Sequence, residues 1–392
     1  MNICMVSRST IFHKGYGGME YVAADLAEQL SKLGHNVILI TTSLKPKQKE
    51  QILLKKNGYS IISIPYTKSM VYSKSWWKLV VPTFERLNEE VGFDIVFSIS
   101  AAANSLVKNK KSYNIPFVFQ AHGTSLGEIK TKLKLSFMKR ISIIKNIKGF
   151  ISDSLVIPNY DLVITIGEKV YNDYLSSKLK LNKNILLINN AINTKKFQYN
   201  DKDRNDIRKE LNIPLGSDVY ISTSRLHLEK GVKESIDIFK RICEKYNDSY
   251  FLIIGDGPEK QKLKAYINEL KLEEKVLLIG EVKRDQLNKY YSSANYMLFA
   301  TLRQEGLPLS LLEALSSSII CFVSELIYFD ERLPFKKIRP RDSIYSSKEV
   351  IKYLQENNQK RDLEKAKDII STEFSMERWA DRYLEAFKSL KF

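Results

Sequence analysis

Ala300–Leu315 reads ATLRQEGLPLSLLEAL. Two carboxylates, Glu305 and Glu313, stand eight positions apart in it, with Gly306 and Pro308 between them. Proline is tolerated in the first turn of a helix, where its missing N–H has no partner to lose. The stretch therefore predicts a strand ending near Thr301, a tight loop over Arg303–Leu307 and a helix starting near Pro308. Glu313 then lies in the helix, and Glu305 in the loop that faces its N-terminus. That N-terminus offers free backbone N–H groups and partial positive charge, which suit an anion. A phosphate held there lies between a loop carboxylate and a helix carboxylate, and carboxylates accept from hydroxyl-rich groups such as sugars and ribose. An ordinary helix with a proline start and an acidic residue is the plain alternative, and this stretch alone leaves it open.

The same strand–loop–helix style recurs on both sides. Apolar runs at Met1–Val6, Val37–Thr42, Ser60–Pro65, Asp94–Ser98, Pro116–Gln120, Leu162–Ile166 and Ile185–Asn189 read as strands. Further on, Asp218–Ser222, Tyr250–Ile254, Lys275–Ile279, Tyr296–Phe299 and Ile319–Val323 read likewise. Helical patterns such as Tyr21–Leu33 and Ser75–Glu90 lie between them. Strands alternating with helices predict a parallel sheet covered on both faces. A chain of 392 residues exceeds one ordinary core. The expected fold is α/β, two doubly wound Rossmann-like domains. Their boundary is expected in the polar segment Asn193–Asp206, giving domains at 1–195 and 196–374. The remainder, 375–392, is an amphipathic helix that either closes the second domain or returns to the first.

Composition narrows the function classes. The chain is 44% hydrophobic and 27% charged, as in globular proteins. No apolar run reaches the length of a membrane span, and the first ten residues, MNICMVSRST, do not read as a signal peptide. Cys4, Cys243 and Cys321 are scattered, which fits a reducing cytosol and argues against a disulfide framework or zinc. His13, His35, His122 and His227 form no metal pair. The net charge of +17 is uneven: Met1–Asn200 holds 28 Lys/Arg against 13 Asp/Glu, and Asp201–Phe392 holds 34 against 32. A basic half implies acidic partners: nucleic acid, anionic lipid or a phosphorylated substrate.

In open parallel sheets, ligands bind beyond the carboxyl ends of strands. Five clusters fall there: Gly15–Gly18, His122-Gly123, Arg225 with Lys230, Gly255–Gly257, and Glu305–Glu313. Together they predict one cleft between the two domains. Glycines at Gly15, Gly17 and Gly18 permit close approach of a phosphate or sugar to the backbone. Their spacing is neither the dinucleotide fingerprint nor a Walker loop. Arg225 and Lys230 are two cations in one strand-end loop, able to converge on a diphosphate. A stabilised diphosphate leaves more readily. His122 follows a strand, although a lone histidine is more often structural. Asp201-Lys202-Asp203 suggests a cation pair, but it reads as part of a solvated, charged linker, so no metal is expected. Ile129–Lys148 carries Lys130, Lys132, Lys134, Lys139, Arg140, Lys145 and Lys148 around an apolar stripe, with no acid. That composition suits a helix on an anionic membrane and equally an ordinary surface helix. Phe137 is its one aromatic, which disfavours a nucleic-acid partner.

Taken in order, SRLHLEKG at Ser224–Gly231, IIGDGPE at Ile253–Glu259 and EGLPLSLLE at Glu305–Glu313 resemble glycosyltransferase family 4, whose fold is GT-B. GGME, AHG at Ala121–Gly123, YDLVITIGE at Tyr160–Glu168 and NNAIN at Asn189–Asn193 match more loosely. The pattern departs at Asn190–Asn193 and at Ser317-Ser318-Ile319. The resemblance implies a retaining transferase that needs no metal or other cofactor. It would move a sugar from a nucleotide diphosphate sugar to a glycan or lipid-linked acceptor, in bacterial surface polysaccharide synthesis. It implies a cytoplasmic enzyme, either soluble or peripheral on the inner face of the plasma membrane. By the same resemblance Gly17 and Gly18 approach the donor, Arg225 and Lys230 hold its diphosphate, and Glu313 holds the ribose. Glu305 contacts the transferring sugar, with the N–H groups around Gly306, Leu307 and Leu309 near the diphosphate and His122 near the reacting carbon. A nucleotide-sugar epimerase, a phosphorylase of the same fold, or an inactive sugar-nucleotide-binding homologue is the alternative.

Overall fold

The computed structural model describes residues 1–14, 17–122, 155–176, 184–356 and 358–390. The chain divides into two compact units, Met1–Asn190 with Met376–Phe392, and Ala191–Ser375.

The first unit is built on an eight-stranded sheet. Its strands are β1 (Asn2–Val6), β2 (Asn36–Thr41), β3 (Ile52–Lys56), β4 (Tyr59–Ser63), β5 (Ile95–Ile99), β6 (Phe117–Ala121), β7 (Leu162–Thr165) and β8 (Ile185–Leu187). Their spatial order is β3-β4-β2-β1-β5-β6-β7-β8. Central strands β5 and β6 are buried at every position, the mark of strands covered on both faces. The covering helices include α1 (Gly18–Lys32), α2 (Lys74–Val91) and α3 (Glu168–Leu175). On α1, Val22, Ala23, Leu26, Ala27 and Leu30 form the buried face at helical spacing. One strand departs from the expected parallel plan. β3 pairs antiparallel with β4 through the Asn57-Gly58 turn, where both residues have positive φ, +47° and +90°. Asn-Gly is the two-residue hairpin signal. Sequence alone does not mark the strand before it, because ILLKK alternates poorly and lies largely exposed at the sheet edge.

The second unit has six parallel strands: β9 (Asp218–Thr223), β10 (Ser249–Ile254), β11 (Val276–Gly280), β12 (Tyr296–Phe299), β13 (Ile320–Ser324) and β14 (Lys336–Ile338). They run in the order β11-β10-β9-β12-β13-β14. Its helices are α4 (Asp201–Glu210), α5 (Val232–Lys245), α6 (Lys260–Glu269), α7 (Leu287–Ser293), α8 (Leu309–Ser316), α9 (Ser343–Gln355) and α10 (Gln359–Glu373). Helix α4 corrects the linker reading of Asp201–Asp206. Asn200 caps it by accepting from Asp203 N at 2.9 Å, and Asp201 and Asp203 complement the helix N-terminus. What fixes α4 is Arg208, fully buried, which donates from Nε to Ser293 O at 3.0 Å, from Nη1 to Ser217 O at 2.8 Å and from Nη2 to Asn295 Oδ1 at 2.8 Å. A polar average hid a helix anchored by one charged residue.

The last helix, α11 (Met376–Lys388), belongs to the first unit. It buries Trp379, Ala380, Tyr383, Leu384 and Phe387. Tyr383 meets Phe97 of β5 edge-on, with ring centroids 5.7 Å apart. Arg382 Nη2 donates to Leu187 O of β8 at 2.7 Å.

Candidate active site

In the second unit the opening stretch folds as its proline and glycine dictate. β12 ends at Phe299, and the chain loops over to Pro308, whose extended backbone (ψ 144°) makes it the N-cap of α8. Lys230 Nζ donates to both carboxylate oxygens of Glu305, to Oε1 at 2.7 Å and to Oε2 at 2.9 Å. Both side chains are only 16% exposed, so water screens the pair little. Thr301 Oγ1 lies 3.1 Å from Glu305 Oε1 and 3.1 Å from Glu229 O, one hydroxyl proton serving two acceptors. On the far side, Tyr328 N donates to Glu305 O at 3.2 Å.

Lys230 reaches this carboxylate because its loop lies flat against the end of β12. Leu228–Lys230 is one turn of 3-10 helix, closed by Gly231 in the left-handed region at φ +64°. A Cβ on Gly231 would stand 1.8 Å from Ala300 O, so only glycine allows the approach. Arg225 sits earlier in the same loop, exposed. Behind it, Leu226 N donates to Asp256 O at 2.9 Å. Gly255, at φ +138°, would place a Cβ 1.9 Å from Ser224 O. The Gly255–Gly257 cluster, considered above as a ligand contact, therefore serves a packing need: it backs the loop that presents Arg225.

Glu313 lies on α8, and its residue is 4% exposed. Arg284 Nε donates to its Oε1 at 3.2 Å, and Tyr291 OH to its Oε2 at 3.3 Å. Thr223 Oγ1, at the end of β9, completes the relay 2.9 Å from Tyr291 OH. Leu307 is buried while Gly306 and Leu309 are half-buried, at the helix start where first-turn N–H groups have no intrahelical partner. Arg284, Tyr291 and Thr301 were not anticipated. Each lies far in sequence from the carboxylate it holds, except Thr301, and no local pattern marks them.

The first unit carries its own set. Gly17 caps α1 and Gly18 begins it, with Gly17 N donating to Glu20 Oε2 at 2.8 Å. Glu20 is buried and also accepts from Ser9 Oγ. A Cβ on Gly18 would meet nothing within 4 Å. His122 follows β6, its Nε2 2.7 Å from Gln120 Oε1. Gln120 Nε2 in turn donates to Tyr383 OH on α11 at 2.7 Å. That chain assigns the proton to Nε2 and leaves Nδ1 a lone pair. Burial, and secondly the charge of Arg8, push the His122 imidazole down to about 4, so it is neutral at pH 7. His13, buried, is a structural residue: its Nδ1 accepts from Thr10 N at 3.0 Å. Gly15, Gly123 and the basic run with Lys130, Lys132, Lys134, Lys139 and Arg140 lie outside the described residues. Among the described residues, no group of three or more His, Cys, Asp or Glu is arranged to hold a metal ion.

The chain matches two family models in succession. Residues 16–196 match the model described as Glycosyltransferase Family 4, and residues 203–333 the one described as Glycosyl transferases group 1. The alpha-monoglucosyldiacylglycerol synthase of Acholeplasma laidlawii is 27% identical over 338 residues, 82% of this chain and 81% of that protein. The N-acetyl-alpha-D-glucosaminyl L-malate synthase of Bacillus anthracis is 24% identical over 313 residues, covering 78% and 75%. Among solved structures, sucrose-phosphate synthase from Thermosynechococcus elongatus is similar with a TM-score of 0.80 at 17% identity, over 99% and 98% of the two chains. HepE of Anabaena, in complex with UDP and glucose, has a TM-score of 0.75 at 15% identity over all of both chains. Two family models matched in order, and motif residues held at strand ends, make the chain a member of glycosyltransferase family 4, the group 1 glycosyltransferases, with the GT-B fold.

Proposed function

We propose that the chain is a retaining, metal-independent glycosyltransferase. It moves a sugar from a nucleotide diphosphate sugar to a lipid-linked or glycan acceptor in the synthesis of bacterial surface polysaccharide or glycolipid. The observation that carries this reading is the Lys230–Glu305 pair beside the start of α8. Negative charge grows on the departing diphosphate as the glycosidic bond breaks. Lys230, Arg225 and the N–H groups of Gly306, Leu307 and Leu309 are cations and dipoles suited to that charge. In this scheme they supply what a divalent cation supplies elsewhere. Glu313 accepts from the ribose hydroxyls, steadied by Arg284 and Tyr291.

Glu305 is read as a positioning carboxylate. Both of its oxygens already accept from Lys230, which lowers their power as nucleophiles. The route that fits is substitution on the donor face. The anomeric carbon–oxygen bond to phosphate breaks, the acceptor oxygen bonds to that carbon on the same face, and the acceptor proton passes to the departing phosphate. His122, neutral with a free Nδ1 lone pair, orients a hydroxyl of the transferring sugar. Gly17 and Gly18 leave room for the donor.

The donor class is supported by HepE, described with UDP and glucose. Retention is supported by the alpha glycosides named as products of two relatives, since common gluco-configured nucleotide sugars carry an α-linked phosphate. The names of those relatives include a diacylglycerol lipid and L-malate, and phosphatidylinositol occurs in that of a third, from yeast. No helix among the described residues is long and apolar enough to cross a membrane. We read the enzyme as working at the inner face of the plasma membrane, drawn there by its basic first half. Product analysis tests the reading: incubation with UDP-, GDP- and ADP-sugars and membrane lipid, then NMR of the new linkage. An α product from an α donor is expected. A β product contradicts retention, and no product from any donor contradicts the transferase site.

A further inference from the structure

Arg8 follows β1 in the first unit, and no motif absorbs it. Its backbone is pinned on both sides. Ser7 N donates to Ile40 O at 3.0 Å, and Thr42 Oγ1 donates to Arg8 O at 2.7 Å. Thr42 Oγ1 also accepts from Met70 N at 2.9 Å, so one hydroxyl ties the loop after β1 to the loop after β4. The guanidinium carbon stands 5.4 Å from the ring centroid of Tyr72. That ring stacks in turn on Trp77 of α2, with centroids 5.2 Å apart. The ring face attracts the cation and so holds it near Tyr72.

None of the five N–H donors of Arg8 has a carboxylate partner among the described residues. The group is half-buried, where an unanswered charge is costly and an arriving anion is favoured. Its field reaches His122, at the carboxyl end of β6. Arg8 follows β1 as His122 follows β6, at the carboxyl ends of strands two apart in one largely parallel sheet, where ligands of such sheets bind. The donor diphosphate already has Lys230 and Arg225 in the second unit. We propose that Arg8 is the receptor for an anionic group on the acceptor, a phosphate or carboxylate, and so selects charged acceptors over neutral ones. This rests on the transferase reading above. The surplus of 28 basic over 13 acidic residues in Met1–Asn200 draws the same acceptors electrostatically. The anion is either part of a soluble acceptor or the headgroup of a lipid, and the bidentate fork serves both.

The test uses the full chain, its nucleotide site first saturated with whichever of UDP, GDP and ADP binds. Wild type, Arg8→Gln and Arg8→Lys are titrated with glycerol 3-phosphate by calorimetry. In a second arm they are cosedimented with phosphatidylglycerol vesicles, with phosphatidylcholine vesicles as control. Arg8→Gln is expected to weaken binding about tenfold or more in one arm, as for a lost charge-assisted hydrogen bond. Arg8→Lys should recover part of it, and nucleotide affinity should stay at the wild-type value. Loss with glycerol 3-phosphate identifies a soluble acceptor; loss with phosphatidylglycerol alone identifies a headgroup. Equal binding by Arg8→Gln and wild type in both arms overturns the proposal, as does wild type binding neither probe. Loss of nucleotide affinity in Arg8→Gln moves Arg8 to the donor and overturns it too. Failure of every nucleotide to bind wild type sinks the underlying transferase reading instead, which is a separate outcome.

Discussion

Lys230 and Glu305 each have one principal partner, and each is that partner. Removing either leaves an opposite charge, 16% exposed, without its neutralising group. For Lys230→Ala and Glu305→Ala we expect kcat to fall about 10²–10³-fold, the scale of losing a preorganised stabiliser of developing charge. The thermal midpoint should fall as well, because each change leaves a mostly buried charge unpaired. Steady-state kinetics with unfolding of the same samples checks both halves. His122 makes a pH prediction. Its folded pKa, about 4, lies below the 6.5 of a free imidazole. Between those values the unfolded chain binds the proton and the folded chain does not, so stability falls as pH drops through that window. His122→Gln should flatten this part of the curve. An unchanged slope in urea melts between pH 6.5 and 4 would contradict the burial assigned to the imidazole.

Helices and loops show what was legible beforehand and why. Strand–loop–helix at Ala300–Leu315 could be read because proline and glycine constrain the backbone locally. The same holds for the Ser224–Gly231 loop. Strand β3 and helix α4 were missed, one an exposed edge strand and the other a charged helix held by buried Arg208. Strand β3 pairs with its immediate neighbour β4, but its residues alternate poorly and lie largely exposed, whereas helix α4 depends on partners distant in sequence. Pairing of Arg284 with Glu313 escaped for the same reason. The glycines divide in a way that sequence could not divide them. Gly255→Ala forces a Cβ against Ser224 O, and left-handed strain alone costs about 1–3 kcal/mol; a lowered midpoint is expected. Gly18→Ala meets open space at a helix start, so the midpoint should hold or rise. If Gly18 admits the donor, Gly18→Val should raise the donor KM while leaving the fold stable. Differential scanning calorimetry beside donor titration separates the two kinds of glycine.

At the scale of the whole chain, the last helix reaches back to the first unit. Tyr383 OH receives the bond from Gln120, which accepts from His122, across 263 positions of sequence. Tyr383→Phe leaves a buried amide donor unmet, at a cost of about 1–3 kcal/mol. We expect a lower midpoint and a reduced kcat, because Gln120, the partner of His122, loses its own anchor; unchanged kcat would detach the helix from the site. The net charge of +17 predicts that binding to anionic vesicles weakens steeply as salt rises. The central claim is that Lys230 and its neighbours hold the diphosphate of a sugar nucleotide. The most direct measurement is the thermal shift of wild type and Lys230→Ala across UDP-, GDP- and ADP-sugars. One nucleotide series should raise the wild-type midpoint, and Lys230→Ala should lose that rise. A wild type unmoved by all three, or a Lys230→Ala variant shifted as far as wild type, would contradict the account.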